Sequence, residues 1–269
     1  MATQLDHILT QTRLTVAERK AAMDKASLER RAAEHHPRGF AANLRKISNS
    51  KTRPAVIAEL KKASPSKGLI RVAFDPGDLA RGLEEAGAGA LSVLTDEPFF
   101  QGSLWNLEIA SAATKIPCLR KDFMVDTFQV LEARASCADA ILLIVAALTD
   151  AELKTLSKEA YAFGLDVLCE VHDGEELDRA VQIGCQLIGV NSRDLRTFAV
   201  HPEVQMQLAS RISGDVVRVA ESGIRSREDI DRLTAAGYDA FLIGETLMRE
   251  NDPGGALALL LGHEAPVLS

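Results

Sequence analysis

Short apolar runs that end in a charged or strongly polar residue recur along this chain. Five of them are Val56-Ile57-Ala58-Glu59-Leu60-Lys61, Pro117-Cys118-Leu119-Arg120-Lys121, Val167-Leu168-Cys169-Glu170, Leu187-Ile188-Gly189-Val190-Asn191 and Val217-Arg218-Val219-Ala220-Glu221; a sixth, Phe241-Leu242-Ile243-Gly244, ends in glycine. Each reads as a buried parallel strand, apolar on both faces. Amphipathic stretches lie between the runs, and turns of small residues lead back into the next run: Ala86-Gly87-Ala88-Gly89-Ala90, Ser136-Cys137-Ala138-Asp139-Ala140, Ile183-Gly184-Cys185 and Ala236-Gly237-Tyr238-Asp239-Ala240. A glycine just past a helix end supplies the left-handed residue that stops it. Helix starts are marked by Thr149-x-x-Glu152, Asp173-x-x-Glu176 and Ser226-x-x-Asp229, spaced as capping boxes.

The repeat predicts strands near 54–61, 90–95, 116–121, 139–146, 166–171, 186–191, 215–221 and 239–244, with helices between them. That order favours a closed (β/α)8 barrel over an open doubly wound sheet. A dinucleotide site on an open sheet needs its glycines after a strand, whereas Gly87-x-Gly89 precedes one. Residues 1–50 are helical in pattern and lack strands, so they form an N-terminal extension to a barrel spanning 51–269, within a single domain. The apolar faces at Leu5, Ile8 and Leu9 and at Phe40, Leu44 and Ile47 must be buried, and the open barrel rim is the expected surface.

Composition narrows the function. A length of 269 residues, 46% hydrophobic, suits one barrel of this type. A net charge of -7 and 4% aromatic residues argue against nucleic-acid binding, which needs a basic surface and stacking platforms, and in favour of a small-molecule substrate. The longest apolar run, Ala140 to Leu148, is too short to span a membrane, and the chain starts without a basic or apolar leader, so a cytoplasmic location is expected. Cys118, Cys137, Cys169 and Cys185 show no Cys-x-x-Cys spacing and are expected to be reduced thiols acting as small hydrophobes, Cys169 facing the helices.

Polar residues gathered at strand ends describe the catalytic rim of such a barrel. Glu59 and Lys61, two apart on a strand, point to one face, and in a barrel that face is the interior; taken alone they could equally be a structural ion pair. The loop Lys62-Ala63-Ser64-Pro65-Ser66-Lys67-Gly68 suits a lid over an anionic ligand. Lys121 packed near Lys61 would have its pKa lowered toward the range for proton donation, and a buried Glu170 would have its pKa raised. Gly223 and Gly244, in the turns after the seventh and eighth strands, let backbone N–H groups approach a phosphate, although Glu245 is an awkward neighbour for one.

At these residues the chain closely resembles the indole-3-glycerol phosphate synthase family. The matching segments include Glu59-Leu60-Lys61-Lys62-Ala63-Ser64-Pro65-Ser66, Arg120-Lys121-Asp122-Phe123, Glu170-Val171-His172, Asn191-Ser192-Arg193-Asp194-Leu195, Glu221-Ser222-Gly223-Ile224 and Leu242-Ile243-Gly244-Glu245. The resemblance implies cyclisation of 1-(2-carboxyphenylamino)-1-deoxyribulose 5-phosphate with loss of carbon dioxide and water, without cofactor or metal. It implies Lys121 as general acid in ring closure, Glu170 as acid/base in dehydration, Lys61 as partner of the substrate carboxylate and a donor in dehydration, and Glu59 as orienter of the lysines. Asn191, Arg193, Glu221, Ser222 and Phe123 would bind substrate, with Phe99-Phe100 beside Phe123 as an apolar wall; Ser64, Gly223, Gly244 and Glu245 would hold phosphate. Transient contact with neighbouring pathway enzymes fits the same picture. Cys137 departs from the family, whose members usually carry a smaller residue there. Two other readings stay open: a Schiff-base lysine, as in aldolase-like chemistry, and a non-catalytic phosphosugar-binding scaffold.

Overall fold

The computed structural model describes residues 3–263; the last six residues of the expected barrel segment, 264–269, lie outside the described residues. Eight parallel strands close on themselves: β1 (Ala55–Leu60), β2 (Ala90–Leu94), β3 (Cys118–Lys121), β4 (Ala140–Ile144), β5 (Asp166–Val171), β6 (Leu187–Asn191), β7 (Val217–Glu221) and β8 (Ala240–Ile243). β1 seals the barrel against β8, with Ala55 opposite Ala240 and Ala58 opposite Ile243. Every strand expected from the sequence forms. Before them come α1 (Gln4–Ala22), α2 (Lys25–Glu34) and α3 (Phe40–Ser50). Between and after the strands lie α4 (Pro76–Glu85), α5 (Glu97–Phe100), α6 (Leu104–Ala113), α7 (Thr127–Ala135), α8 (Asp150–Ala162), α9 (Gly174–Ile183), α10 (Pro202–Ala209), α11 (Arg227–Ala235), α12 (Glu245–Met248) and α13 (Pro253–Leu261).

Strand alternation divides the core in two. Val56, Ala58, Val93, Ile141, Val167, Ile188 and Phe241 face outward into a cluster shared with the surrounding helices. Ile57, Leu119, Leu142, Leu168, Leu187, Val219 and Leu242 face inward. Because side chains alternate, Glu59, Lys121, Glu170, Asn191 and Glu221 continue the inward rows of their own strands toward the carboxyl ends. Arg120, between Leu119 and Lys121, points the other way and is fully buried. Its guanidinium donates to Asp122 at 2.8 Å, to Glu132 at 3.4 Å and to the Gln129 carbonyl at 2.8 Å, which ties the end of β3 to α7.

The N-terminal extension packs against both ends of the barrel. At the start of β1, β2, β4 and β8 the inner cluster is built from Ala55, Ala90, Ala140 and Ala240, side chains too small to fill a barrel mouth. Phe40 and Leu44 of α3, both fully buried, join that cluster. Asn43 donates to the Gly89 carbonyl at 2.6 Å, the Ala41 amide to Asp166 at 2.9 Å, and Arg45 to the Asp215 carbonyl at 3.0 Å, all at or just before strand starts. Thus α3 is a floor. The α2–α3 connection is pinned to Asp139, just ahead of β4, by the Arg38 amide at 2.7 Å and by His35 at 3.2 Å. Only α1 reaches the carboxyl-end side: His7 meets Phe99 edge-on at 5.7 Å, Lys20 pairs with Asp126 at 2.8 Å, and Arg13 with Glu152 at 3.5 Å.

Two local expectations change. Cys169 and Cys185 form a disulfide with Cα atoms 6.4 Å apart, so only Cys118 and Cys137 remain free thiols. Cys169 does face the helices, but it pairs across the sheet with Ile188, three residues beyond Cys185, and this register brings the two sulfurs together. Spacing along the chain carries no trace of that. Cys137 takes a positive φ of 62°, in the turn position where Gly87 and Gly237 have 102° and 103°, so the departure at this site is one of backbone conformation.

Candidate active site

A cavity of about 950 Å³ opens at the carboxyl ends of the strands. Of the site residues expected from the sequence, all but Phe99 line it. Glu59, Lys61, Lys121, Glu170, Asn191 and Glu221 form its charged floor; Arg193, Ser222, Gly223, Gly244 and Glu245 line one side, Ser64 comes from the β1 loop, and Phe123 stands with Phe100. The ring centroids of Phe100 and Phe123 are 6.2 Å apart. Phe99, expected in the same wall, turns instead to His7.

The charged floor interleaves signs. Lys121 Nζ lies 3.2 Å from Glu170 Oε2, and Lys61 pairs with Glu59. This inverts the expected protonation pattern. Burial works against the Lys121 ammonium, but the surrounding carboxyl groups, Glu170 foremost, outweigh it and hold the group above its ordinary range. Burial likewise opposes charge on Glu170, yet Lys121 and then His172 hold its carboxyl below the usual range. Glu59 is also held low: Lys61 and then Lys121 overcome its burial. The carboxyl pushed well up is Glu221, by burial and then by the charge of Glu170. Its Oε1 is buried and meets no hydrogen-bond donor, as suits a carboxyl group that carries its own proton. The sequence-based expectation weighed each lysine against the other and omitted the carboxylates between them.

Two glycines give these carboxylates room. A Cβ on Gly244 would collide with the Glu59 side chain, and one on Gly189 with Glu221. Gly244, expected to serve phosphate approach, therefore has a second reason to be glycine. After β7 the chain turns through consecutive left-handed residues, Ser222 at φ 68° and Gly223 at φ 75°. Ser192 Oγ donates to the Ser222 carbonyl at 3.1 Å and Gln205 to the Glu221 carbonyl at 2.8 Å, fixing that turn from beneath. Glu245 is less awkward than its sequence position suggests. Arg193 reaches it at 3.4 Å and Arg249 at 3.0 Å. Burial opposes its charge, but Arg249, then Lys67 and Arg193, hold the carboxyl low and leave the neighbourhood cationic.

Sequence reasoning missed several lining residues. Arg249, one helical turn after Glu245, could have been found from the i,i+4 spacing. Asp96 also lines the cavity; burial and then the charge of Asp122 push its carboxyl up to about 6. The expected lid is partly ordered: Ala63–Ser64 pairs antiparallel with Gly68–Leu69, and Arg71 ties this hairpin to the Glu250 carbonyl at 2.7 Å.

The family model described as indole-3-glycerol phosphate synthase matches residues 5–260. A protein of that name from Koribacter versatilis is 59% identical over 97% of this chain and 100% of its own length. The chain belongs to the indole-3-glycerol phosphate synthase family. A second relative of the same name, from Dechloromonas aromatica, is 50% identical over 97% of this chain and 99% of its own length. As an indole-3-glycerol phosphate synthase the enzyme is a carboxy-lyase of tryptophan biosynthesis acting on a small molecule. The barrel itself is shared more widely: thiamine phosphate pyrophosphorylase from Pyrococcus furiosus superposes with a TM-score of 0.58 at 17% identity, covering 80% of this chain and 95% of that one. At that identity the likeness is one of fold. Among the described residues no helix is long and apolar enough to cross a membrane.

Proposed function

We propose that the two lysines and three glutamates of the cavity floor divide the acid–base work of indole-3-glycerol phosphate synthesis. The observation that carries this is the direct contact of an ammonium, Lys121, with a carboxylate, Glu170, at the base of the cavity. Lys121 starts as a loaded proton donor and Glu170 as an empty acceptor. As the anthranilate ring carbon attacks the ketone of 1-(2-carboxyphenylamino)-1-deoxyribulose 5-phosphate, Lys121 protonates the developing alkoxide, a stabilisation worth about 10²-fold or more. Carbon dioxide then leaves with its bonding electrons returned to the ring, and rearomatisation drives that step without a base. Dehydration follows: Glu170 accepts the proton and Lys61, oriented by Glu59, donates to the departing hydroxide. Asn191 and the protonated Glu221 bind substrate hydroxyls.

The phosphate lies in this reading where positive charge and small residues meet, among Ser64, Ser222, Gly223, the Gly244–Glu245 backbone and Arg193. Phe123 and Phe100 receive the aromatic ring, with α1 as the outer wall on that side. A phosphorylated, anionic substrate suits a cytoplasmic enzyme, where transient contact with the neighbouring pathway enzymes would hand it on. The aldolase-like alternative is disfavoured by Lys121 itself, because an ammonium held protonated by carboxylates is a poor nucleophile. Indole fluorescence appearing on addition of the substrate tests the activity. Borohydride treatment with substrate should leave the protein mass unchanged, and a trapped adduct on Lys121 or Lys61 would overturn the acid–base assignment.

A further inference from the structure

His172 follows the acid/base candidate by two residues on the same strand row, beyond the end of β5, and its ring stands between two carboxylates. Nδ1 lies 3.0 Å from Glu176 Oε2, and Nε2 lies 3.3 Å from Glu170 Oε1, in ion-pair range though off the hydrogen-bond line. Glu176 is itself held firmly. It is the third residue of α9, and the same Oε2 accepts the His172 amide at 2.8 Å. The N-cap Asp173 takes the Glu176 amide at 2.9 Å. One end of the ring is therefore fixed by helix-start geometry, and the other end is presented to Glu170. The opposite oxygen of Glu170, Oε2, is the one that meets Lys121.

We propose that His172, oriented by Glu176, is a positioning residue that clamps the Oε1 side of Glu170 so that Oε2 stays aimed at Lys121 and the substrate. This rests on the reading of Glu170 as the proton acceptor in dehydration. A carboxylate gripped from one side only can rotate about its last bond; gripped from both, it is held to one orientation, and misplacement of a reacting group by about 1 Å can cost up to 10²-fold in rate. The charged groups facing the ring are Glu170 on its own strand and Glu176 from α9, with Lys121 of β3 and Glu221 of β7 beyond Glu170. Burial opposes a charge on the ring, but the nearby carboxylates of Glu170 and then Glu176 raise its pKa to about 10, so the clamp is an imidazolium across the working range.

The test is the pH profile of kcat in the full-length enzyme. Removing the cation raises the Glu170 pKa, so the limb on which activity falls with acid should move to higher pH. In His172→Gln the expected result is a fall in kcat of about tenfold or more, a KM changed by less than about twofold and an acidic limb shifted up by about one pH unit. His172→Lys, which returns a cation, should move the limb back, and Glu176→Gln should shift it in the same direction as His172→Gln. A folded His172→Gln with an unmoved acidic limb overturns the proposal, whether kcat falls or not. Should that variant fail to fold, NMR titration of the His172 ring in wild type and in Glu170→Gln decides instead: a pKa lower by about one unit or more in Glu170→Gln supports the clamp, and an unchanged one overturns it. Wild-type kcat in Glu170→Gln would overturn the reading of Glu170 itself; an inactive Glu170→Gln beside an unaffected His172→Gln overturns the clamp alone.

Discussion

Lys121 Nζ and Glu170 Oε2, on strands separated by β4, meet at 3.2 Å inside the barrel mouth. A donor and an acceptor held in opposite protonation states by one another can serve successive steps without waiting for solvent. Lys121→Ala should lower kcat by about 10²-fold or more with the fold intact. Glu170→Gln should lower kcat while leaving KM nearly unchanged. Steady-state kinetics checks both, and a Lys121→Ala enzyme retaining more than roughly a tenth of wild-type kcat would remove the general-acid role.

Gly244 and Gly223 should respond differently to substitution. Gly244→Ala places a Cβ against the Glu59 side chain, so its expected effect is a loss of kcat of about tenfold or more through the displaced Glu59–Lys61 pair. Gly223→Val instead forces a β-branched residue into a left-handed turn at φ 75° and should weaken product binding. Kinetics with Gly244→Ala and isothermal titration of product with Gly223→Val separate the two. Equal losses of product affinity in both variants would place Gly244 chiefly in the phosphate cradle.

Strand positions and the residues at their ends could be read from the sequence because burial on both faces imposes near-continuous apolar runs, and a charge there stands out. The Thr149 and Ser226 caps could be read for a similar reason: both hydroxyls accept the amide three residues on, at 3.3 and 3.4 Å. What failed depended on contacts between distant segments. Arg120 looked like part of the polar end of β3, yet one step of alternation sends it into the outer core. The apolar face of Phe40 and Leu44 demanded a partner but could not say which end of the barrel supplied it. Protonation states at Lys121 and Glu170 depend on Glu59, Glu221 and His172 as well as on each other, groups on or just past β1, β3, β5 and β7, a sum that pairwise reasoning missed.

Arg120 gives a stability prediction. Arg120→Met leaves Asp122 as a buried carboxylate without its cation and takes from Glu132 one of its two arginines, Arg19 remaining at 3.1 Å, a loss of about 3–5 kcal/mol. Denaturant melts should show it. Adding Asp122→Asn should recover part of the loss, since its stranded charge is then gone, whereas Glu132 keeps Arg19.

His35 should make stability depend on pH on the alkaline side. Burial opposes its charge, but the Asp139 carboxylate, 3.2 Å from Nε2, and then the neighbouring Cys137 raise its folded pKa from 6.5 to about 9. A raised folded pKa means that the contribution is fully present below the unfolded value and is lost as pH climbs through the folded one. The wild-type melting temperature should therefore decline between about pH 6.5 and 9 more steeply than that of His35→Gln. Parallel melting curves for the two proteins across that window would exclude it.

Deleting residues 1–22 removes α1 but keeps the α3 floor. Its ion pairs to Asp126 and Glu152 are partly exposed and worth little each, but Arg19 also pairs with the buried Glu132 at 3.1 Å, and Leu5, Ile8 and Val16 are buried. The expected outcome is a raised KM together with a fall in melting temperature from the loss of the Arg19 pair and of this buried apolar face. Phe40→Ala, by contrast, opens a cavity at a fully buried position, costing about 3–5 kcal/mol with KM unchanged. Kinetics and thermal melts of the two variants distinguish wall from floor; an unchanged KM in the deletion would assign α1 to bracing alone.

The seam where β1 closes on β8 is also where Gly244 makes room for Glu59. These strands are the first and last of the barrel in chain order, so the Glu59–Lys61 pair reaches its working position only when the ring is complete. A chain that had assembled every strand but β1 would carry the Lys121–Glu170 contact and lack the Glu59–Lys61 pair. Turnover in this enzyme is thus a readout of closure, and refolding followed by recovered activity should report the joining of the two strands rather than the collapse that precedes it.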